Sequence, residues 1–82
     1  MGSTVNLRQA LAQQVVAAFH GGAAAISATE LITVLRRQGI SVDHASVMTL
    51  LEALELRNCV QLARSDAENV VLGIYPAIQQ FL

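Results

Sequence analysis

The residues best able to do chemistry in this 82-residue chain are His20, Asp43, His44 and Cys59. The two imidazoles and the thiol are possible zinc ligands, but zinc sites normally contain closely spaced ligand pairs, which this sequence lacks. The thiol, His44 and Asp43 could act as nucleophile, base and orienting carboxylate, although burial explains Cys59 and helix capping explains Asp43 equally well. We therefore expect no enzyme, no metal site and no cofactor.

The glycine pair Gly21 and Gly22 is the other feature that resembles a functional motif. A phosphate loop needs a preceding strand and a following Gly-Lys-Ser/Thr, and the sequence offers neither. Short helices and a hairpin around a solid core also rarely leave the ~300 Å³ that a small-molecule site needs. We expect no small-molecule substrate.

Composition limits the class of protein. Apolar residues make up 54% of the chain and charged residues 13%, which favours an ordered fold, and the length suits one domain over residues 1–82. No apolar run approaches the ~20 residues that cross a bilayer, and the N-terminus lacks the layout of a signal peptide. The lone cysteine fits a reducing compartment, so we expect a cytoplasmic protein without membrane contact.

Helix start and stop signals predict three helices, at about 6–20, 28–38 and 43–57. Asn6, a Ser27-x-x-Glu30 capping box and Asp43 are the starts. Glycines 21, 22 and 39 and Asn58 are the stops. The inward stripes are expected to be Leu7, Leu11, Val15, Ala18 and Phe19 on the first helix, Leu31, Val34 and Leu35 on the second, and Val47, Leu50, Leu51 and Leu54 on the third.

After Asn58 the apolar pattern changes from helical to alternating, which predicts a β-hairpin at about 59–75. Its turn is the polar cluster 65–69. Pro76 ends the second strand, and residues 77–82 are expected to dock as a short helical turn through Ile78 and Phe81.

This order of elements resembles the winged-helix family, a branch of the helix-turn-helix proteins. The helix-turn-helix would be residues 27–58, with Gly39 at its turn, and the wing residues 59–75. The expected fold class is therefore mainly α with a small β-hairpin, a three-helix winged helix-turn-helix. The resemblance implies a third helix that enters the DNA major groove and a wing that contacts the backbone or minor groove, although many members bind proteins instead.

The charges on the expected DNA-reading half have the wrong sign for DNA. Residues 43–69 carry five carboxylates and two arginines, a local charge of −3, whereas residues 1–42 carry +2 and the whole chain −1. DNA affinity comes mainly from cations that neutralise phosphates, so Glu52 on the third helix and the acidic turn at Asp66 and Glu68 oppose it.

Two hypotheses follow. The first is a non-enzymatic adaptor or regulatory protein that acts through protein contacts, with a protein partner or as a homodimer. Its interface would use apolar residues outside the inward stripes, namely Val16, Met48, Leu56, Phe81 and Leu82. The alternative is a dimeric DNA-binding transcriptional regulator that uses the third helix and the wing on duplex DNA.

The candidate partner-binding residues are Arg36, Arg37, Ser46, Thr49, Glu52, Arg57, Arg64 and Phe81. In the DNA hypothesis, the third helix brings Ser46, Thr49 and Arg57 near bases or phosphates, and Arg64 lies on the wing. The Arg36–Arg37 pair either favours the dipole at the helix C-terminus or docks on a phosphate or an acidic partner, such as the acidic wing of a second copy.

Overall fold

The computed structural model describes residues 6–64 and 68–82. Within these ranges it is mainly helical, with a small antiparallel sheet. The elements in chain order are α1 (Leu7–His20), β1 (Ile26–Ser27), α2 (Ala28–Arg37), α3 (His44–Leu56), β2 (Val60–Arg64), β3 (Asn69–Ile74) and a C-terminal 3₁₀ helix (Pro76–Phe81). The prediction of an acidic turn at Asp66 lies outside the described residues. None of the described helices combines the length and the apolar character needed to span a bilayer.

The three α-helices begin at the polar residues that the sequence indicates. Asn6, Ser27 and Asp43 each have extended backbone and accept a hydrogen bond from an amide of the first turn. At α2 the bond is reciprocal, because the Glu30 carboxylate also accepts from the Ser27 amide. These bonds satisfy amides that have no partner inside the helix, so they fix where each helix starts.

Left-handed residues end α2 and α3. Gly39 has φ 83° and Asn58 has φ 58°, as expected from their small or locally bonding side chains. After Asn58 the amide of Cys59 donates back to the carbonyl of Leu54 at 2.9 Å, and the chain leaves directly into β2. The stop after α3 therefore also sets the start of the hairpin.

The sheet has three strands in the order β1-β3-β2, all antiparallel, and this corrects the expected two-stranded hairpin. Ile26 and Ser27, predicted to be a connection, pair with Val71 and Val70. A two-residue strand is too short to show a period of two, and its partner lies far along the chain, so local patterning could not indicate it. β1 attaches the connection between α1 and α2 to the hairpin.

The core lies between the helices and the inner face of the sheet. Its buried members are Leu11, Ala12, Val15, Ile26, Ala28, Leu31, Ile32, Leu35, Val42, Val47, Leu51, Leu54, Cys59, Val60, Val71 and Ile78. On α2 the prediction was partly wrong, because Ile32 is buried whereas Val34 is half-exposed. α2 contacts α1, α3, β1 and β3, and positions 28, 31, 32 and 35 are the ones buried among them. The 3₁₀ helix adds Ile78, as expected.

The capping box of α2 gives a stability prediction. Ser27→Ala removes the hydroxyl that accepts the Glu30 amide, so the free energy of unfolding should fall by about 1 kcal/mol and Tm by about 4–8 °C. Urea and thermal unfolding followed by circular dichroism measure both. The matched control is Ser41→Ala in the exposed turn before α3, which should leave Tm unchanged. Equal losses in the two variants would contradict a capping role.

Candidate interaction site

The residues weighed as metal ligands or catalytic groups have other structural surroundings. The Cys59 side chain is fully buried, and burial raises the pKa of its thiol. Asp43 accepts from Ser46, whose hydrogen bonds hold the pKa of that carboxyl below its usual range. His20 ends α1 and His44 begins α3, both exposed. In residues 6–64 and 68–82, no three histidine, cysteine or acidic side chains are grouped as metal ligands would be.

The outer face of α3 is the first candidate contact surface. Ser46 and Thr49 are exposed there, as predicted from the helical period. They border a shallow open cleft of about 430 Å³ whose other walls are mainly apolar. This cleft is lined by Leu7, Ala45, Ser46, Thr49 and Leu50. The face therefore presents hydroxyls and aliphatic groups, without a cation among its lining residues.

Glu52 lies on the flank of α3 that faces β3. Its Oε2 accepts from Nδ2 of Asn69 at 3.5 Å, and Asn69 is only 2% exposed. The backbone amide of Asn69 donates to Sδ of Met48 at 3.3 Å. Two residues predicted to face outward, Glu52 and Met48, thus help to seat the start of β3 against α3.

The N-terminus of α2 holds a carboxylate from the hairpin. Oε1 of Glu68 accepts from the Thr29 amide at 2.9 Å and from the Thr29 hydroxyl at 2.8 Å. These two hydrogen bonds lower the pKa of the Glu68 carboxyl, and nearby His44 lowers it further. Helix N-termini attract anions because their first amides lack partners and the helix dipole is positive there. Glu68 therefore occupies the position at which α2 could receive a phosphate.

The predicted wing cation Arg64 is also engaged within the chain. Its guanidinium lies 3.3 Å from the Glu55 carboxylate of α3. The pair is largely exposed, so its contribution to stability is small. The ion pair does change the surface charge, because the Glu55 carboxylate neutralises the arginine that the hairpin would offer to a phosphate.

Arg36 and Arg37 lie at the end of α2 and differ in their surroundings. The Arg36 guanidinium donates twice to the carbonyl of Val42, at 3.0 and 3.3 Å, and so braces the turn between α2 and α3. Arg37 is exposed, and its position in the last turn suits the dipole of the helix. The sequence indicated the helix position of both arginines but gave no sign of the bond from Arg36 to Val42.

Two arginines meet at one aromatic ring. The guanidinium carbon of Arg8 lies over Phe81 at 4.5 Å from the ring centroid, and that of Arg57 lies at 5.7 Å. Both distances are within the range of cation–π attraction. Sequence reasoning selected Arg57 and Phe81 separately and missed Arg8. No local signal could have joined the three, because they lie on α1, after α3 and on the 3₁₀ helix.

Apolar side chains are exposed near the ends of α3, β3 and the chain. Leu56 is 84% exposed, while Leu72, Tyr75 and Leu82 are between 42% and 44% exposed. The end of β3 and the 3₁₀ helix form a groove against α1 of about 310 Å³. It is lined by Val16, His20, Ile74, Tyr75, Pro76, Ile78, Gln79 and Leu82. Of the apolar residues expected outside the core, Val16 and Leu82 line this groove, whereas Phe81 is half-buried beneath the arginines.

In comparisons with known proteins, no family model, no curated protein and no solved structure matches this chain.

The burial of Cys59 predicts that the thiol is protected in the native protein. We expect an aromatic disulfide reagent to label it only after denaturant unfolds the chain, because the sulfur is buried and its raised pKa disfavours the thiolate. The control is Ser41→Cys, which places a thiol at an exposed position and should react at once. Equally fast native labelling of Cys59 would show an accessible nucleophile.

The bond from Thr29 to Glu68 predicts a pH-dependent contribution to stability. The folded-state pKa of Glu68 is lowered, so the contribution is complete above the ordinary value of about 4.3 and is lost as pH falls through the folded-state pKa. Glu68→Gln should therefore lower Tm at neutral pH, and the difference from the unsubstituted protein should shrink in acid.

A double-mutant cycle that combines Glu68→Gln with Thr29→Ala tests whether the loss of Tm comes from the contact between these two residues. The two substitutions should be less than additive, because each removes part of the same pair of bonds. Strict additivity, or a Tm difference that does not change with pH, would contradict the contribution assigned to the ionised carboxylate.

Proposed function

We propose that this chain is a winged-helix domain that acts by binding protein, either a partner or a second copy, without catalysing a reaction. The order of its helices and strands supports the fold, since α2 and α3 follow each other across a tight turn and lead directly into a hairpin. The buried thiol and the capping role of Asp43 support the absence of catalysis. The free cysteine suits a cytoplasmic location.

The observation that carries the proposal is that three groups able to bind phosphate, namely the N-termini of α2 and α3 and the hairpin cation Arg64, are already bonded internally. The N-terminus of α2 holds the Glu68 carboxylate, and that of α3 holds the Asp43 carboxylate. Arg64 is paired with Glu55. Phosphate contacts supply most of the non-specific affinity for DNA, so these bonds would have to break before the three groups could contribute to it.

Protein contacts have support of a different kind. Leu56 is almost fully exposed at the end of α3, and Tyr75 and Leu82 border the groove beside α1. Burial of such apolar surface drives most protein association, and aromatic and arginine side chains are enriched at the centres of interfaces. The exposed apolar side chains therefore fit a protein partner better than a phosphate backbone.

One observation favours the second candidate, a DNA-binding regulator. Ser46 and Thr49 are exposed on the outer face of α3, where their hydroxyls can reach base edges, and Arg57 follows at its end. This arrangement would give sequence recognition only if other cations held the duplex, and Arg64 is committed to Glu55.

A titration with a mixed-sequence duplex separates the two functions. We expect a Kd weaker than about 10⁻⁴ M at physiological salt, and no change on Arg64→Gln, because that arginine is already neutralised. Glu55→Gln combined with Glu68→Gln should bind the duplex more tightly, with a steeper loss of affinity between about 50 and 200 mM salt. Fluorescence anisotropy measures each affinity.

The contrary result would be tight duplex binding by the unsubstituted protein that disappears on Thr49→Ala or Arg64→Gln. That outcome would establish DNA reading by α3 and the hairpin and would overturn the protein-binding proposal. Sedimentation of the protein alone over a range of concentrations would show whether a second copy is the partner.

A further inference from the structure

We propose that Arg8, Leu56, Arg57 and Phe81 form a docking surface for an acidic segment of a different protein, one that carries an apolar side chain beside its carboxylates. We call these four residues the arginine–phenylalanine surface. The proposal rests on the proposed protein-binding function and specifies the chemistry of the partner.

The surface is assembled by tertiary structure. Phe81 is held in place because Ile78, three residues earlier, is buried in the core, and because Nε2 of Gln9 donates to the Leu82 carbonyl at 2.7 Å. With the ring fixed, the guanidinium carbons of Arg8 and Arg57 lie 4.5 and 5.7 Å from its centroid. The two cations are therefore separated by no more than the sum of those distances, which neighbouring carboxylates of one short segment can span.

The two arginines of this surface form no ion pair within the described part of the chain. Their contact there is with the ring of Phe81, which carries no net charge. Two like charges at this spacing repel each other, and an anion placed against both relieves that repulsion. An external carboxylate pair would also gain charge-assisted hydrogen bonds, which are about twice as strong as neutral ones.

The side-chain carboxylates in the described part of the chain are poorly suited to supply that anion. Each one in residues 6–64 and 68–82 accepts a hydrogen bond or ion pair from its own chain; these are Glu30, Asp43, Glu52, Glu55 and Glu68. In a second copy, these carboxylates would reach the arginines with part of their acceptor capacity already used. An acidic segment of a different protein with unpaired carboxylates offers its full capacity, so charge complementarity favours it over a second copy.

Leu56 gives the surface its apolar element. It precedes Arg57 directly and is 84% exposed, so a partner side chain packed against it would remove apolar area from water. A nucleic acid backbone has no group that matches this side chain, and it needs a longer track of cations than two arginines. An acidic segment with an interspersed leucine or aromatic residue matches both features of the surface.

The test uses a random peptide library displayed on phage and selected on the full chain. We expect the enriched peptides to combine aspartate or glutamate with an apolar residue. A synthesised representative, titrated by calorimetry, should bind roughly tenfold more weakly to Arg57→Gln and to Leu56→Ala. The matched control is Gln38→Glu, which lowers the net charge by the same amount at an exposed position after α2 and should change the affinity less than about twofold.

Arg8 needs a second variant, because its stacking on Phe81 also contributes to the packing of the 3₁₀ helix on α1. Arg8→Gln should weaken peptide binding, whereas Arg8→Lys keeps the charge and should retain most of it. Thermal unfolding of each variant separates lost binding from lost structure, and the exposed positions 56 and 57 provide the test if Arg8→Gln does not fold.

The remaining outcomes distinguish a failure of the arginine–phenylalanine surface from a failure of the proposed protein-binding function. Enriched peptides that are not acidic, or that bind equally to Arg57→Gln, would overturn the surface and leave protein binding intact. Failure to enrich any peptide would also count against the surface. A dimer that Leu56→Ala dissociates would assign the surface to a second copy, and duplex binding lost on Arg57→Gln would overturn both proposals.

Discussion

Strand β3 is paired along both edges, and the positions of the other elements depend on this double pairing. β2 lies on one side along the length of β3, and β1 lies on the other through Ile26 and Ser27. Glu68, which precedes β3, continues the contact between β1 and β3. Its carboxylate accepts from the amide of Thr29, two residues after the end of β1. The hairpin is thus joined to the start of α2 through both backbone and carboxylate, and α3 follows from α2.

This arrangement links folding and surface charge. The carboxylates of Glu68 and Asp43 accept hydrogen bonds at the N-termini of α2 and α3, and the carboxylate of Glu55 is paired with Arg64. Less positive charge therefore remains on this surface for an anionic ligand. Electrostatic contacts at exposed positions contribute little to stability individually. Together they change what the surface can bind, because a phosphate would compete with groups that are already in place. The cations left over lie elsewhere, and two of them gather on Phe81.

Features fixed by neighbours in sequence could be predicted, and features fixed across the fold could not. Asn6, Ser27 and Asp43 start helices, and Asn58 stops one, because each acts through bonds or backbone angles within a few residues. The exposure of Ser46 and Thr49 followed from the helical period in the same way. By contrast, three features join residues that are 39 to 73 positions apart in the sequence. These are the pairing of β1 with β3, the hydrogen bonds of Glu68 to Thr29 and the stacking of Arg8 on Phe81. No local pattern encodes them.

The contact from Arg36 to Val42 has a consequence for recognition. A guanidinium that donates twice to one carbonyl spans the turn and fixes the angle at which α3 leaves α2. Because α3 also packs on the hairpin, its orientation is set from two sides. A molecule that bound to the outer face of α3 would therefore meet a surface already placed by the fold, and the entropy lost by the protein on binding would be small.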